Sequence, residues 1–226
     1  MFSLLSCVSA ISLANVETLK INLSRYYPNI QVSNIQTTEM PALYSGNLDN
    51  QIIYLDENAQ HMFIGSMVRL KDQKNLTKDL VLKQNSIDWK QLPLKDAIKT
   101  VKGNGKQQLA IFFFFFYPYS KKLEAELDKL NDVTIYTFIY PLKSQSIAVS
   151  KQVWCDPNQA YAWKNLLQKN VQPKEKTCAN PIERNLALGR KLGVEGTPTL
   201  IFETGFKMTG VRSAEEIQLI WKELGL

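Results

Sequence analysis

Across 226 residues the chain has one histidine, three cysteines and no Cys-x-x-Cys pair. The lone histidine, His61, leaves Ser–His hydrolytic chemistry without a base near any candidate serine. It also rules out the clustered imidazoles and thiolates of a zinc centre, so no metal is expected. Without two cysteines spaced by two residues, the chain lacks a vicinal dithiol that could cycle between thiol and disulfide. No run reaches the roughly 18 apolar residues of a membrane helix. The formal charge of +6 and pI near 9.1 come from scattered lysines rather than a basic stripe. That is a solvated surface and not a nucleic-acid interface. Internal repeats are absent, and nothing calls for a cofactor.

What is present is a 45% hydrophobic, 21% charged composition, enough for one large or two small domains with a real core. Residues 1–14 (MFSLLSCVSAISLA) carry no charge and end in Ser12-Leu13-Ala14. They read as the apolar segment and cleavage site of a truncated secretory signal whose basic start is absent. An ordinary first helix is the alternative. Leu4-Leu5-Ser6-Cys7 is a loose match to a lipoprotein box. If such a leader is removed, Cys155 and Cys178 remain. An even number in an exported chain reads as one structural disulfide, with two buried free thiols as the alternative.

Residues 16–27 have helical spacing and stop at Pro28. Short alternating runs follow (30–37, 42–48, 51–55 and 61–70), separated by turn signals such as Gly46-Asn47, Asp49-Asn50 and Asp56-Glu57-Asn58. This is one helix with an antiparallel meander over residues 15–72, too small to be stable without a partner strand or subunit. Residues 73–105 mix lysines and amides with Leu80, Leu82, Trp89, Leu92, Leu94 and Ile98, and read as a helical linker. Residues 106–226 read as strand, helix, strand, a helical insertion over about 142–192, a hairpin across Thr204-Gly205, and a closing helix. The class is α+β, with a thioredoxin topology in the second domain.

The stretch 111–124, IFFFFFYPYSKKLE, carries most of the functional information. A strand running into a helix N-terminus is where a thioredoxin-type fold places Cys-x-x-Cys, because the helix dipole and free N–H groups stabilise a thiolate. Here those two positions hold Tyr117 and Ser120. Phe112 and Phe113 suit a central strand buried on both faces. Phe114 to Phe116 fall in the expected loop, where they are expected to form an exposed sticky patch. Ser120 at a helix head reads as a cap or first-turn residue before it reads as a nucleophile. Gly196-Thr197-Pro198-Thr199 enters a strand, and the topology calls for a cis-proline at Pro198. The adjoining backbone of Thr197 is then open to an extended client.

In this order, the pieces resemble the periplasmic disulfide isomerases of the DsbC/DsbG family over nearly everything after residue 15. The N-terminal share is carried by Met40-Pro41-Ala42-Leu43-Tyr44, by Gln51 to Asn58, by His61 to Gly65 and by Leu70 to Thr77. In the C-terminal part it is Pro118-Tyr119 with Lys121-Lys122-Leu123-Glu124, Trp154-Cys155 with Ala160, Trp163 and Cys178, and Leu188-Gly189 with Leu192 to Thr199. The resemblance implies a small cystatin-like dimerisation domain, a V-shaped homodimer and a Gram-negative periplasmic location. It implies action on unfolded or misoxidised proteins, and a dithiol kept reduced by an inner-membrane thiol reductase. Cys155 and Cys178 would be the structural disulfide, Thr197 and Pro198 the client-binding pair. The redox roles fall on Tyr117 and Ser120, which have oxygen where sulfur is needed. The expected function is therefore a thiol:disulfide interchange protein of isomerase type that is redox-inactive at this site; a thiol-independent chaperone or an inactive paralogue is the alternative.

Overall fold

The computed structural model describes residues 7–49, 51–84, 86–116 and 118–226. They form two compact units, residues 1–84 and 85–226. The expected leader, residues 1–14, lies partly outside the described residues, and its remainder is the start of helix α1 (Cys7–Tyr26).

In the first unit α1 covers an antiparallel sheet of β1 (Ser33–Thr37), β2 (Leu43–Leu48), β3 (Gln51–Asp56) and β4 (Met62–Ile64), in that spatial order. The period of two decides which side chains meet α1: Tyr44, Ile53 and Leu55 pack with Leu19 and Leu23 in the core. The β2–β3 register sets Leu48 opposite Gln51, with Asp49 after β2 at φ 47°. His61 closes the next turn, its Nδ1 lying 3.0 Å from an Asp56 carboxylate oxygen. Its role there is local. A short ladder of β5 (Val68–Arg69) and β6 (Lys74–Asn75) leads into α2 (Leu76–Gln84).

Among the described residues of 73–105, only α2 is α-helical. From residue 86 the chain already belongs to the second unit and forms β7 (Ile98–Val101) on its sheet. The helical reading holds for α2 but runs too far, because Ile98-Lys99-Thr100-Val101 is a strand exposed on one face, where lysine is at home on an edge.

The second unit is a five-stranded sheet. β8 (Gln107–Phe113) and β9 (Val133–Ile139) run parallel, joined by α3 (Pro118–Leu127). β7 adds antiparallel to β9; β10 (Thr199–Phe202) adds antiparallel to β8, followed by β11 (Lys207–Thr209). Helices α4 (Ile147–Trp154), α5 (Gln159–Lys169) and α6 (Ile182–Lys191) make the insertion, and α7 (Ala214–Glu223) closes the chain behind a Ser213/Glu216 capping box. From Leu109 on, β8 is apolar because both its faces are covered. Leu109, Ile111 and Phe113 meet Leu123, Leu127, Trp163, Ile217 and Trp221 on one side. Ala110 and Phe112 meet Phe138, Tyr140 and Val194 on the other. Gly205, at φ 88°, makes the β10–β11 turn, and a Cβ there would collide with the Ile87 carbonyl oxygen at 1.9 Å.

Candidate functional site

The second unit presents its site at the C-terminal end of β8, where the chain leaves the sheet for α3. Pro118 is the first residue of α3, a position whose N–H has no helical partner in any case. Ser120, two residues on, is fully buried, and its Oγ–H donates to the carbonyl of Phe114. The hydroxyl thus fastens the loop back onto the strand end. Its own unit has no imidazole to take its proton, since the chain's one histidine, His61, belongs to the other unit. Tyr117 lies outside the described residues.

The phenylalanine run does not form the exposed patch expected over residues 114–116. Phe114 is fully buried, Phe115 is half-buried against the larger core, and only Phe116 faces solvent, at 49% exposure. The reason is aromatic packing: the Phe115 ring lies 4.6 Å from Phe116 and 6.2 Å from Trp163, which also takes Phe113 edge-on at 5.5 Å. Nearby, Tyr119 is 65% exposed.

Strand pairing brings the proline segment to the same place. Thr199 is opposite Phe112 in the β10–β8 ladder, so Thr197 and Pro198, which lead into β10, lie at the end of the sheet where β8 runs out. The Thr197–Pro198 peptide is cis. The Pro198 ring is buried, and its carbonyl accepts the Gly210 N–H at 2.8 Å. Thr197 differs: among the described residues its Oγ1 and its backbone have no hydrogen-bond partner. The Oγ1 is buried, but a backbone N–H and carbonyl left unpaired are the groups that strand-like pairing with an extended polypeptide uses.

The unit's two cysteines lie outside this site. Cys155, at the end of α4, and Cys178, in the segment before α6, form a disulfide with Cα atoms 5.6 Å apart. Among the described residues no group of histidine, cysteine and carboxylate side chains could hold a metal ion. No described helix is long and apolar enough to cross a membrane.

Sequence reasoning overlooked the charged cluster on the outer side of α3. Asp128 accepts from Lys164 at 2.8 Å, Gln168 at 3.0 Å and Lys102 at 3.3 Å. Burial pushes the Asp128 carboxyl up, but these hydrogen bonds outweigh it and hold the group below the usual range. Glu124, one turn earlier, is raised, first by burial and then by the Asp128 charge. The signal was two acids at i and i+4 flanking Leu123 and Leu127, which resembles any solvated helix face.

Residues 94–224 match the thioredoxin-like domain family, and residues 10–78 match the disulfide bond isomerase protein N-terminal domain. A protein of Bordetella parapertussis named "Probable thiol:disulfide interchange protein DsbC" is 28% identical over 89% of this chain and 72% of its own length. The "Thiol:disulfide interchange protein DsbC" of Salmonella typhimurium is 24% identical over 99% of this chain and 94% of its own length. Among solved structures, a disulfide interchange protein from Neisseria gonorrhoeae superposes with a TM-score of 0.55 at 34% identity, covering 58% of this chain and 97% of that one. With both domains matched in order, the chain belongs to the DsbC-type thiol:disulfide interchange proteins of the thioredoxin-like family.

Proposed function

We propose that this protein is a redox-silent disulfide-isomerase homologue, which binds unfolded or misoxidised proteins in the periplasm without exchanging disulfides through the α3 site. The observation that carries this reading is Ser120: a buried hydroxyl, engaged with the Phe114 carbonyl, at the position of the family's second redox cysteine. Tyr117, a phenol, stands at the first. Exchange needs a thiolate as attacking and leaving group, and an alcohol cannot take its place near neutral pH. The unit's two cysteines are bonded to each other. An inner-membrane thiol reductase would find no dithiol to reduce here.

Client binding without chemistry is supported by the unpaired Thr197 backbone and by exposed Phe116 and Tyr119. Backbone pairing is indifferent to client sequence, and the aromatics add apolar contact. We read the molecule as a homodimer joined through its N-terminal unit. β4 supports this: it is an open edge with Met62, Phe63 and Ile64 all exposed, beside a cavity of about 420 Å³ lined by Met40, Leu43, Tyr54 and Phe63.

Insulin reduction and refolding of scrambled ribonuclease test the reading. The native protein should stay at background in both, while suppressing aggregation of a reduced, unfolded client. Turnover above background would overturn the inactivity. The double variant Tyr117→Cys with Ser120→Cys should gain reductase activity, since the helix head that favours a thiolate is in place.

A further inference from the structure

The segment leading into β10 is held by two side chains of the β10–β11 hairpin. Strand register sets Thr199 opposite Thr209. Thr199 is fully buried, and its Oγ1 lies 2.6 Å from the Gly196 carbonyl oxygen and 3.0 Å from the Thr209 Oγ1. A hydroxyl has one proton to donate, and a carbonyl oxygen can only accept. The Thr199 proton therefore goes to Gly196, and Thr209 must be the donor to Thr199. Gly196 lies so close to this pair that a Cβ on it would come within 3.2 Å of the Thr209 methyl carbon.

The consequence is geometric. The Gly196–Thr197 peptide is trans, so its C=O and N–H lie in one plane and point in opposite directions. Fixing the Gly196 carbonyl on the Thr199 hydroxyl thereby aims the Thr197 N–H away from the hairpin. That N–H has no hydrogen-bond partner among the described residues. Beyond Thr197, the Pro198 carbonyl is taken by the Gly210 N–H at 2.8 Å. The chain is thus pinned on both sides of the residue whose own backbone is left unpaired.

We propose that Thr199 and Thr209 are positioning residues of the client site: their hydroxyl relay holds the Gly196–Thr197 peptide plane so that the Thr197 N–H is presented to a backbone carbonyl of an extended client. This role rests on the reading of Thr197 as the docking point, and adds the device that aims it. The two threonines act through the Gly196 carbonyl and need not touch the client. Without the Thr199 hydroxyl that carbonyl loses its donor, and the plane is free to rotate in search of another. Binding must then restore the orientation, which weakens it.

The test follows the Thr197 amide of the full chain by nitrogen–proton NMR, with reduced, carboxymethylated α-lactalbumin as the extended client. In the native chain the client should bind saturably and slow the exchange of the Thr197 N–H with solvent. Thr199→Val keeps the side-chain shape but not the hydroxyl; it should bind about tenfold more weakly and lose the protection at Thr197. Thr199→Ser should restore both. Thr209 is exposed, so Thr209→Val leaves the buried position untouched. It should weaken binding roughly threefold, because Thr199 keeps its own bond to Gly196. Denaturant unfolding separates positioning from stability, since a merely structural role would lower the midpoint and leave the affinity of the folded chain unchanged. Native affinity with full Thr197 protection in Thr199→Val, or in Thr209→Val where Thr199→Val does not fold, overturns the relay and leaves the docking point standing. A native chain whose Thr197 amide the client does not protect overturns the docking point and the relay with it.

Discussion

At the scale of single residues, the contacts of each side chain with the backbone decide what it can do. Ser120 is a fastening because its hydroxyl is used up on Phe114, and the same position in a thiol-bearing protein would be chemistry. Two other residues have comparably sharp consequences. Gly189 lies in α6 where a Cβ would come within 2.3 Å of the Tyr140 ring. Gly189→Ala must push a buried aromatic off the sheet, and thermal unfolding should show a loss of about 1–3 kcal/mol. Asp96 is buried, and Arg184 donates to both its oxygens at 2.8 Å. Those hydrogen bonds hold the Asp96 carboxyl below the usual carboxylate range. A depressed acid stabilises the fold above its unfolded pKa, near 3.9, and that stability is lost as pH falls through the folded value. Arg184→Met should therefore be less stable at neutral pH in denaturant titrations, with a flatter loss of stability below about pH 4. An acid limb identical to the parent's would show that the pair contributes nothing.

At the scale of elements, what the sequence revealed depended on how completely each segment is buried. β8 was plain because a strand covered on both faces must be apolar along its length, and Phe112 and Phe113 sit where that predicts. The rule stops at the strand end. Phe114 and Phe115 follow it into a loop; the distant ring of Trp163, some 50 residues on, covers Phe115, and Phe114 packs on Phe115 and Phe116 in turn. β7 was missed for the opposite reason: an edge strand with Lys99 outward looks like connector. The helical insertion was visible in outline, and so was its tether, since Cys155 and Cys178 read as one structural disulfide. The disulfide fixes the end of α4 to the segment leading into α6, across a sequence separation of 23 residues. A loop of that size contributes about 3 kcal/mol in the chain-entropy picture. Replacing both cysteines by serine should lower stability by about that amount in denaturant unfolding. Mass spectrometry of the native chain after thiol alkylation should find both sulfurs protected; free thiols at Cys155 and Cys178 would remove the tether from the account.

For the molecule as a whole, the N-terminal unit cannot be considered as a lone monomer in water. Its core is one helix on a four-stranded sheet, a size at which burial barely offsets chain entropy. It also leaves Met62, Phe63 and Ile64 uncovered along an open strand whose backbone groups on the outer side await partners. Natural sheets protect such an edge with charge, proline or a bulge, and β4 has none of these. The economical resolution is a second copy of the same strand, which buries both apolar rows in one two-fold contact. Light scattering on the native chain should therefore give twice the 25.8 kDa chain mass. Phe63→Lys places a charge at the centre of that contact and should shift the mass to that of one chain, leaving the Trp221 environment in the second unit unchanged by fluorescence. A native chain that runs as a monomer at micromolar concentration would mean that β4 is covered by something other than its own copy.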